Sequence, residues 1–184
     1  MNKQTYDGAI VFMKVGTHSG ENFDSIIKRK IQEIENTGMS FWGYGGWTCH
    51  PTKQVQPFAK EVVQKQGEIY LLMETIESGH SVQKLSKEYS EDKKNWKPIP
   101  KGISVTGSNY AIVLDEIVDE RSSILFGTYV VAIGNSKGKR ATDYIKGQCS
   151  KGCLEIADGD HIDSTEKVIS YKARMKAPYA VFVR

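Results

Sequence analysis

The chain has 184 residues, 39% hydrophobic and 26% charged, with 5 prolines, 3 cysteines and a net charge of +3. That balance fits one globular domain with a sizeable core and excludes a disordered or fibrous chain, while an odd cysteine count argues against a disulfide framework. The small surplus of Lys and Arg is interleaved with Asp and Glu, which argues against a long nucleic acid as partner, and the longest apolar runs, such as AIVL at 111–114, are far too short to span a membrane.

Near the start, about seven mostly apolar residues follow Asp7 without a small-residue cleavage pattern beyond them, so no signal peptide is expected and the protein reads as cytoplasmic. Residues 8–15, GAIVFMKV, are β-branched and apolar and read as a buried strand. G-T-H-S-G at 16–20 reads as a polar loop at a helix N-terminus, either an anion site or a plain capped turn; it has neither the P-loop nor the dinucleotide spacing. Phe23, Ile26, Ile27, Ile31 and Ile34 share one helical face that also carries Lys30, with Asn22 as N-cap and Gly38 just past the end. A second short helix is expected over 56–66, with Pro57 in its first turn and Gly67 closing it, and a strand over 68–76. Ser81 is read as the cap of a third helix whose face is Val82, Leu85 and Tyr89, broken by EDKK and WKPIP.

From 103 onward the pattern is β-rich: ISVTGSNYAIVLDEIV, SSILFGTYVVAIG and EKVISYKARMKAPYAVFVR, with D-E-R-S between the first two as a hairpin turn and a short helix at 141–147. Helices in the first half and strands in the second predict a single-domain α+β fold on a largely antiparallel sheet.

The stretch FWGYGGWTCH at 41–50 is the most unusual in the chain. Trp42, Tyr44 and Trp47 supply flat faces on which a base can stack, at about 1 to 3 kcal/mol per base. Gly45 and Gly46 let the backbone approach a ligand, and His50, before Pro51, can donate to a phosphate or a base edge. The competing reading is a loop folded over its own core with the tryptophans as packing anchors. Cys49 beside His50 suggests a nucleophile and base, yet neighbours in an extended chain point to opposite sides, so adjacency alone makes no dyad. T-G-S-N-Y at 106–110 places Asn109 and Tyr110 at a strand start, as a base reader and a stacking ring or as a bulge and a sheet residue. In G-N-S-K-G-K-R-A-T-D, Lys139 and Arg140 could neutralise a phosphate or simply form a solvated hairpin tip. Cys149 and Cys153 in C-S-K-G-C offer two corners of a zinc site that lacks a nearby fourth ligand, so reduced thiols are the preferred reading, and D-G-D-H at 158–161 reads as a turn. No catalytic motif is met, and no metal or cofactor is expected.

Residues 40–59, S-F-W-G-Y-G-G-W-T-C-H-P-T-K-Q-V-Q-P-F-A, resemble the signature of small phage and bacterial proteins, the phage anti-CBASS sponge family. The resemblance covers about 20 residues of the chain. It implies a homo-oligomer that binds a cyclic dinucleotide such as cyclic GMP-AMP without chemistry, keeping the signal from an immune effector in the host cytoplasm. The alternative carried forward is an enzyme acting on a nucleotide or nucleotide-linked substrate through His50 or Cys49.

Overall fold

The computed structural model describes residues 6–18, 21–80, 84–147, 149–159 and 163–184. In chain order the elements are β1 (Ile10–His18), α1 (Phe23–Thr37), β2 (Ser40–Tyr44), a π-helical turn (Pro51–Val55), α2 (Gln56–Gln66), β3 (Tyr70–His80), β4 (Glu88–Ser90) and β5 (Lys97–Pro98). They continue with β6 (Tyr110–Ile124), a 3-10 turn (Phe126–Thr128), β7 (Tyr129–Val131), α3 (Ala141–Tyr144), β8 (Lys151–Ile156) and β9 (Lys167–Val183). The strands form one sheet in the order β2-β6-β9-β3-β1-β8-β7, with β4 paired to β9 and to β5. Only the β1–β3 pair is parallel among the described pairings. The protein is therefore α+β on a mixed, mostly antiparallel sheet, as the sequence predicts.

Alternation explains the buried strands. In β1, Val11, Met13 and Val15 face the helices, and Ile10 and Phe12 face the other way into a second cluster with Leu72, Phe126, Tyr129 and Leu154. Both faces are covered, so the strand is apolar at nearly every position. Helices α1 and α2 contribute Ile26, Ile27, Phe58, Ala59 and Val62 to the first face, and a third cluster around Phe41, Ile103, Val113 and Val181 closes the opposite face at the β2 end. No helix among the described residues is long and apolar enough to cross a membrane.

The two main helices form where expected. The Asn22 side chain accepts from the Ser25 N–H at 2.8 Å, and Gly38 ends α1 at φ 82°, its N–H donating to Ile34 O. Gly67 ends α2 in the same region, at φ 86°.

Elsewhere long-range pairing overrides local signals. Gly16, Thr17 and His18 belong to β1 instead of a loop, with Thr17 and His18 in register with Gly79 and His80; Ser19 and Gly20 lie outside the described residues. Of the helix expected from Ser81, the described part, from Lys84 on, is extended chain. Ser81 and Val82 lie outside the described residues, Leu85 bridges Thr106, and Tyr89 sits in β4 opposite Val183. Backbone bonds from Ser86 to Val105 and from Lys87 to Arg184 supply partners that a helix would have had to provide itself. EDKK is a tight turn in which Asp92 accepts the Lys94 and Asn95 N–H groups. D-E-R-S makes no hairpin turn either. β6 runs through it, paired with β9 at Asp119–Tyr171 and Ser122–Ile169, and absorbs the irregularity at Arg121, φ 41°. Residues 103–109 precede the strand, which starts at Tyr110. The expected short helix spans only Ala141–Tyr144, and C-S-K-G-C runs into β8.

Gly43 in β2 marks a close approach. A Cβ there would lie 2.4 Å from Ser108 Oγ and 2.9 Å from Val105 Cγ1, whereas one at Gly45 would meet nothing within 4 Å. Gly43→Ala should cost about 1 to 3 kcal/mol through overpacking, with Gly45→Ala close to neutral, as read from urea unfolding of the two variants.

Candidate ligand-binding loop

The aromatic stretch divides into a strand and a loop. Phe41, Trp42 and Tyr44 lie in β2, and residues 45–50 lead out of it across the helix-bearing face toward β8. Gly46 takes φ 87° and Cys49 φ 57°, a left-handed conformation uncommon for a residue with a Cβ. The loop is tied back at its end: the buried Tyr44 hydroxyl donates to Cys49 O at 2.5 Å. Burial, then the Cys49 and Cys153 thiols and Tyr110, hold the Tyr44 hydroxyl well above its usual pKa, so it stays protonated and donating.

His50 begins the π-helical turn. Its backbone N–H donates to Gln54 Oε1 at 3.0 Å, and its carbonyl accepts from Gln54 and Val55. Its Nδ1 accepts from the Lys53 N–H at 3.4 Å, which leaves the proton of the neutral ring on Nε2. Desolvation first, then the charges of Lys53 and Lys93, lowers the His50 pKa, so the ring is neutral near pH 7 and offers one N–H at the rim. The ring centroid lies 5.6 Å from Tyr110 and 5.4 Å from Phe182, and Tyr110 in turn lies 5.5 Å from Tyr44. Lys93 places its ammonium 5.8 Å from the Phe182 ring.

Beneath the loop lies a cation that the sequence shows only as a basic residue following K-G-K-R and Lys146, outside the expected site. Lys151, at the start of β8, has its ammonium 5.8 Å from the Tyr44 ring, and a Cβ at Gly46 would be 3.4 Å from Nζ. It is half-buried and has no carboxylate partner among the described residues. Desolvation lowers its pKa, with Cys49 and Cys149 acting in the opposite direction. A desolvated, unpaired ammonium gains most from an anion that reaches it.

The structure brings together Tyr44, Gly45, Gly46, His50 and Tyr110 of the expected site. Trp47 is in the loop and 67% exposed, so it is no packing anchor. Trp42 is one: buried in β2, its ring stands 6.1 Å from Phe23 of α1. Asn109 is exposed beside Tyr110, its carbonyl accepting from Val183. Lys139 and Arg140 are not with these rings. Both are exposed on the turn after β7, where the Lys139 carbonyl accepts from Val131 and Arg140 bridges Val130 and faces Asp163. The sequence carried only a faint signal for Lys151, a lysine between two cysteines, and none for Phe182.

The cysteines also fall differently from their spacing. Cys49 and Cys153 are both buried in the same core cluster, and the influence of Cys49 first, then burial, pushes the Cys153 thiol well up. Cys149 is half-buried, its Sγ 3.7 Å from Lys151 O, and burial first, then Cys149, pushes the Tyr144 hydroxyl up to about 12. No group of three or more His, Cys, Asp or Glu side chains that could hold a metal occurs among the described residues; Asp160 and His161 lie outside them. Compared with protein-family models, with curated proteins and with solved structures, the chain matches none.

Proposed function

We propose that the chain is a non-catalytic binding protein that holds a cyclic dinucleotide at loop 45–50 and so withdraws an immune signal from an anti-phage defence. The observation that carries this reading is the half-buried Lys151 ammonium beneath Gly46, without a carboxylate partner among the described residues, in the loop that exposes Trp47. Trp47 offers a stacking face for a base, Lys151 a charge for a phosphodiester, and His50 an N–H for a phosphate or base edge. One exposed indole serves one base, so a ligand with two bases calls for a second copy of the chain to supply the other face. That makes the binding species a homo-oligomer. The enzymatic alternative needs Cys49 or His50 free to react, yet Cys49 is buried in the core and His50 packs on Tyr110 and Phe182.

Titration calorimetry against a panel of cyclic di- and trinucleotides tests this. One or more members should bind, Trp47→Ala should weaken that binding by roughly ten- to a hundredfold, and heat-released ligand should chromatograph unaltered. Flat heats for every member would overturn the reading, and altered ligand would turn it into an enzyme.

A further inference from the structure

We propose that the site has a second anion position, formed by His50 Nε2 and the Lys93 ammonium, so that its ligand carries two anionic groups set apart by a row of aromatic rings. Tyr44, Tyr110 and Phe182 are register partners on three neighbouring strands, β2, β6 and β9, and successive ring centroids stand 5.5 Å and 5.7 Å apart. An ammonium closes each end of the row: Lys151 lies 5.8 Å from the Tyr44 ring and Lys93 5.8 Å from the Phe182 ring. Neither lysine has a carboxylate partner among the described residues. Tyr44 and Phe182 are buried, so the row is a fixed spacer between the two cations. Cross-strand packing accounts for the rings themselves, but not for an ammonium left without a carboxylate at each end.

Backbone bonds hold the second position in place. Lys93 stands at φ 65° in a turn that Asp92 fixes by accepting the Lys94 and Asn95 N–H groups, each at 2.8 Å. Gln56, directly after the π-helical turn that His50 begins, donates to Glu91 O at 2.9 Å and to Ala180 O at 2.8 Å. The Lys93 turn, β9 and the His50 segment are thereby fastened together beside Phe182. His50 Nδ1 faces the Lys53 N–H and the Thr52 hydroxyl, so the ring proton on Nε2 is the group left to donate outward. The charges that bear on this ring are those of Lys53 and Lys93, both positive, and an anion between them relieves their repulsion. A flat organic ligand with two phosphate or phosphodiester groups meets both ends of the row, and a single phosphate meets one. Assigning both positions to one ligand rests on the binding reading above; the anion position at His50 and Lys93 does not.

The test follows the titration of the His50 ring by NMR on the full chain, in sulfate and in chloride at equal ionic strength, with sulfate as a doubly charged oxyanion probe. The His50 signal is identified among the 4 histidines by its loss in His50→Gln. Sulfate should raise the pH at which His50 titrates, and the rise should be absent in Lys93→Met and kept in Lys93→Arg. No rise in the parent chain, or the same rise in Lys93→Met, would overturn the anion position. For a cyclic dinucleotide that binds in the calorimetric panel, Lys93→Met should weaken binding roughly tenfold, and an unchanged affinity would overturn the ligand with two anionic groups. Flat heats across the panel with the sulfate effect intact would sink the cyclic dinucleotide and leave the anion position standing.

Discussion

Glu33→Ala should destabilise the protein by about 3 to 5 kcal/mol, the range for leaving one member of a buried ion pair without its partner. The Glu33 carboxylate is buried on α1 and accepts four hydrogen bonds: from Lys30 Nζ at 3.0 Å, Ser40 Oγ at 2.5 Å, the Ser104 N–H at 3.1 Å and Arg29 at 3.4 Å. Lys30, equally buried, keeps only Ser104 O, at 2.6 Å, when Glu33 is removed. The cluster joins α1 to β2 and to the segment before β6, so its loss separates three elements at once. Urea unfolding reads the change directly.

The same cluster gives stability a pH dependence. Burial lowers the Lys30 pKa to about 8, against the pull of Glu33. A base whose folded pKa lies below its unfolded value is protonated in the unfolded chain while already neutral in the fold. Between about pH 8 and the ordinary lysine value the unfolded state therefore binds more protons, and stability rises with pH. The full rise is about 3 kcal/mol, on the order of the shift itself. The Cys153 thiol, held well up in the fold, acts in the opposite direction once unfolded cysteines ionise, as do Tyr70 and Tyr144, pushed up to about 12, so the rise is read as the difference between the parent chain and Lys30→Met. Lys30→Met should flatten the slope; an unchanged slope would assign it to other groups.

Lys151→Met should weaken binding of the proposed cyclic dinucleotide on the order of a hundredfold while leaving the unfolding midpoint unlowered. The affinity loss follows from removing a desolvated charge that meets an anionic ligand. The unchanged or higher midpoint follows because an ammonium with no carboxylate partner stabilises the unliganded fold little, and its aliphatic stem is replaced by another flexible apolar chain. A fall in stability together with unchanged affinity would show that the lysine serves Tyr44 alone. Calorimetry and thermal unfolding on one preparation separate the two outcomes.

Local signals determined what could be read from the sequence. α1 was legible because its caps, Asn22 and Gly38, and its apolar spacing all act within one helix. The α+β class was legible because helical spacing concentrates in the first half of the chain and strand patterns in the second. The errors occur where partners are distant. D-E-R-S has turn chemistry, yet it lies inside β6, where pairing with β9 holds it extended. Ser81 to Tyr89 has helical spacing, yet from Leu85 on the end of β9 and the 103–106 segment are there to bond the chain as extended. The site shows the same limit. Glycine and tryptophan marked loop 45–50, but Lys139 and Arg140 were chosen for local basicity. The cation beneath the loop, Lys151, comes from a strand about a hundred residues away, and only the crossing of the loop toward β8 creates its environment.

The place of β9 has a consequence for synthesis. The last strand in sequence lies inside the sheet, joining β6 on one side to β3 on the other. While the chain emerges from the ribosome, β2 with β6 and β1 with β3 can each pair, but the two halves have nothing between them until residues 167–183 are free. Until then the apolar flanks of both halves stay open to water and to one another's copies on neighbouring ribosomes. The nascent protein should therefore need chaperone protection until β9 has emerged.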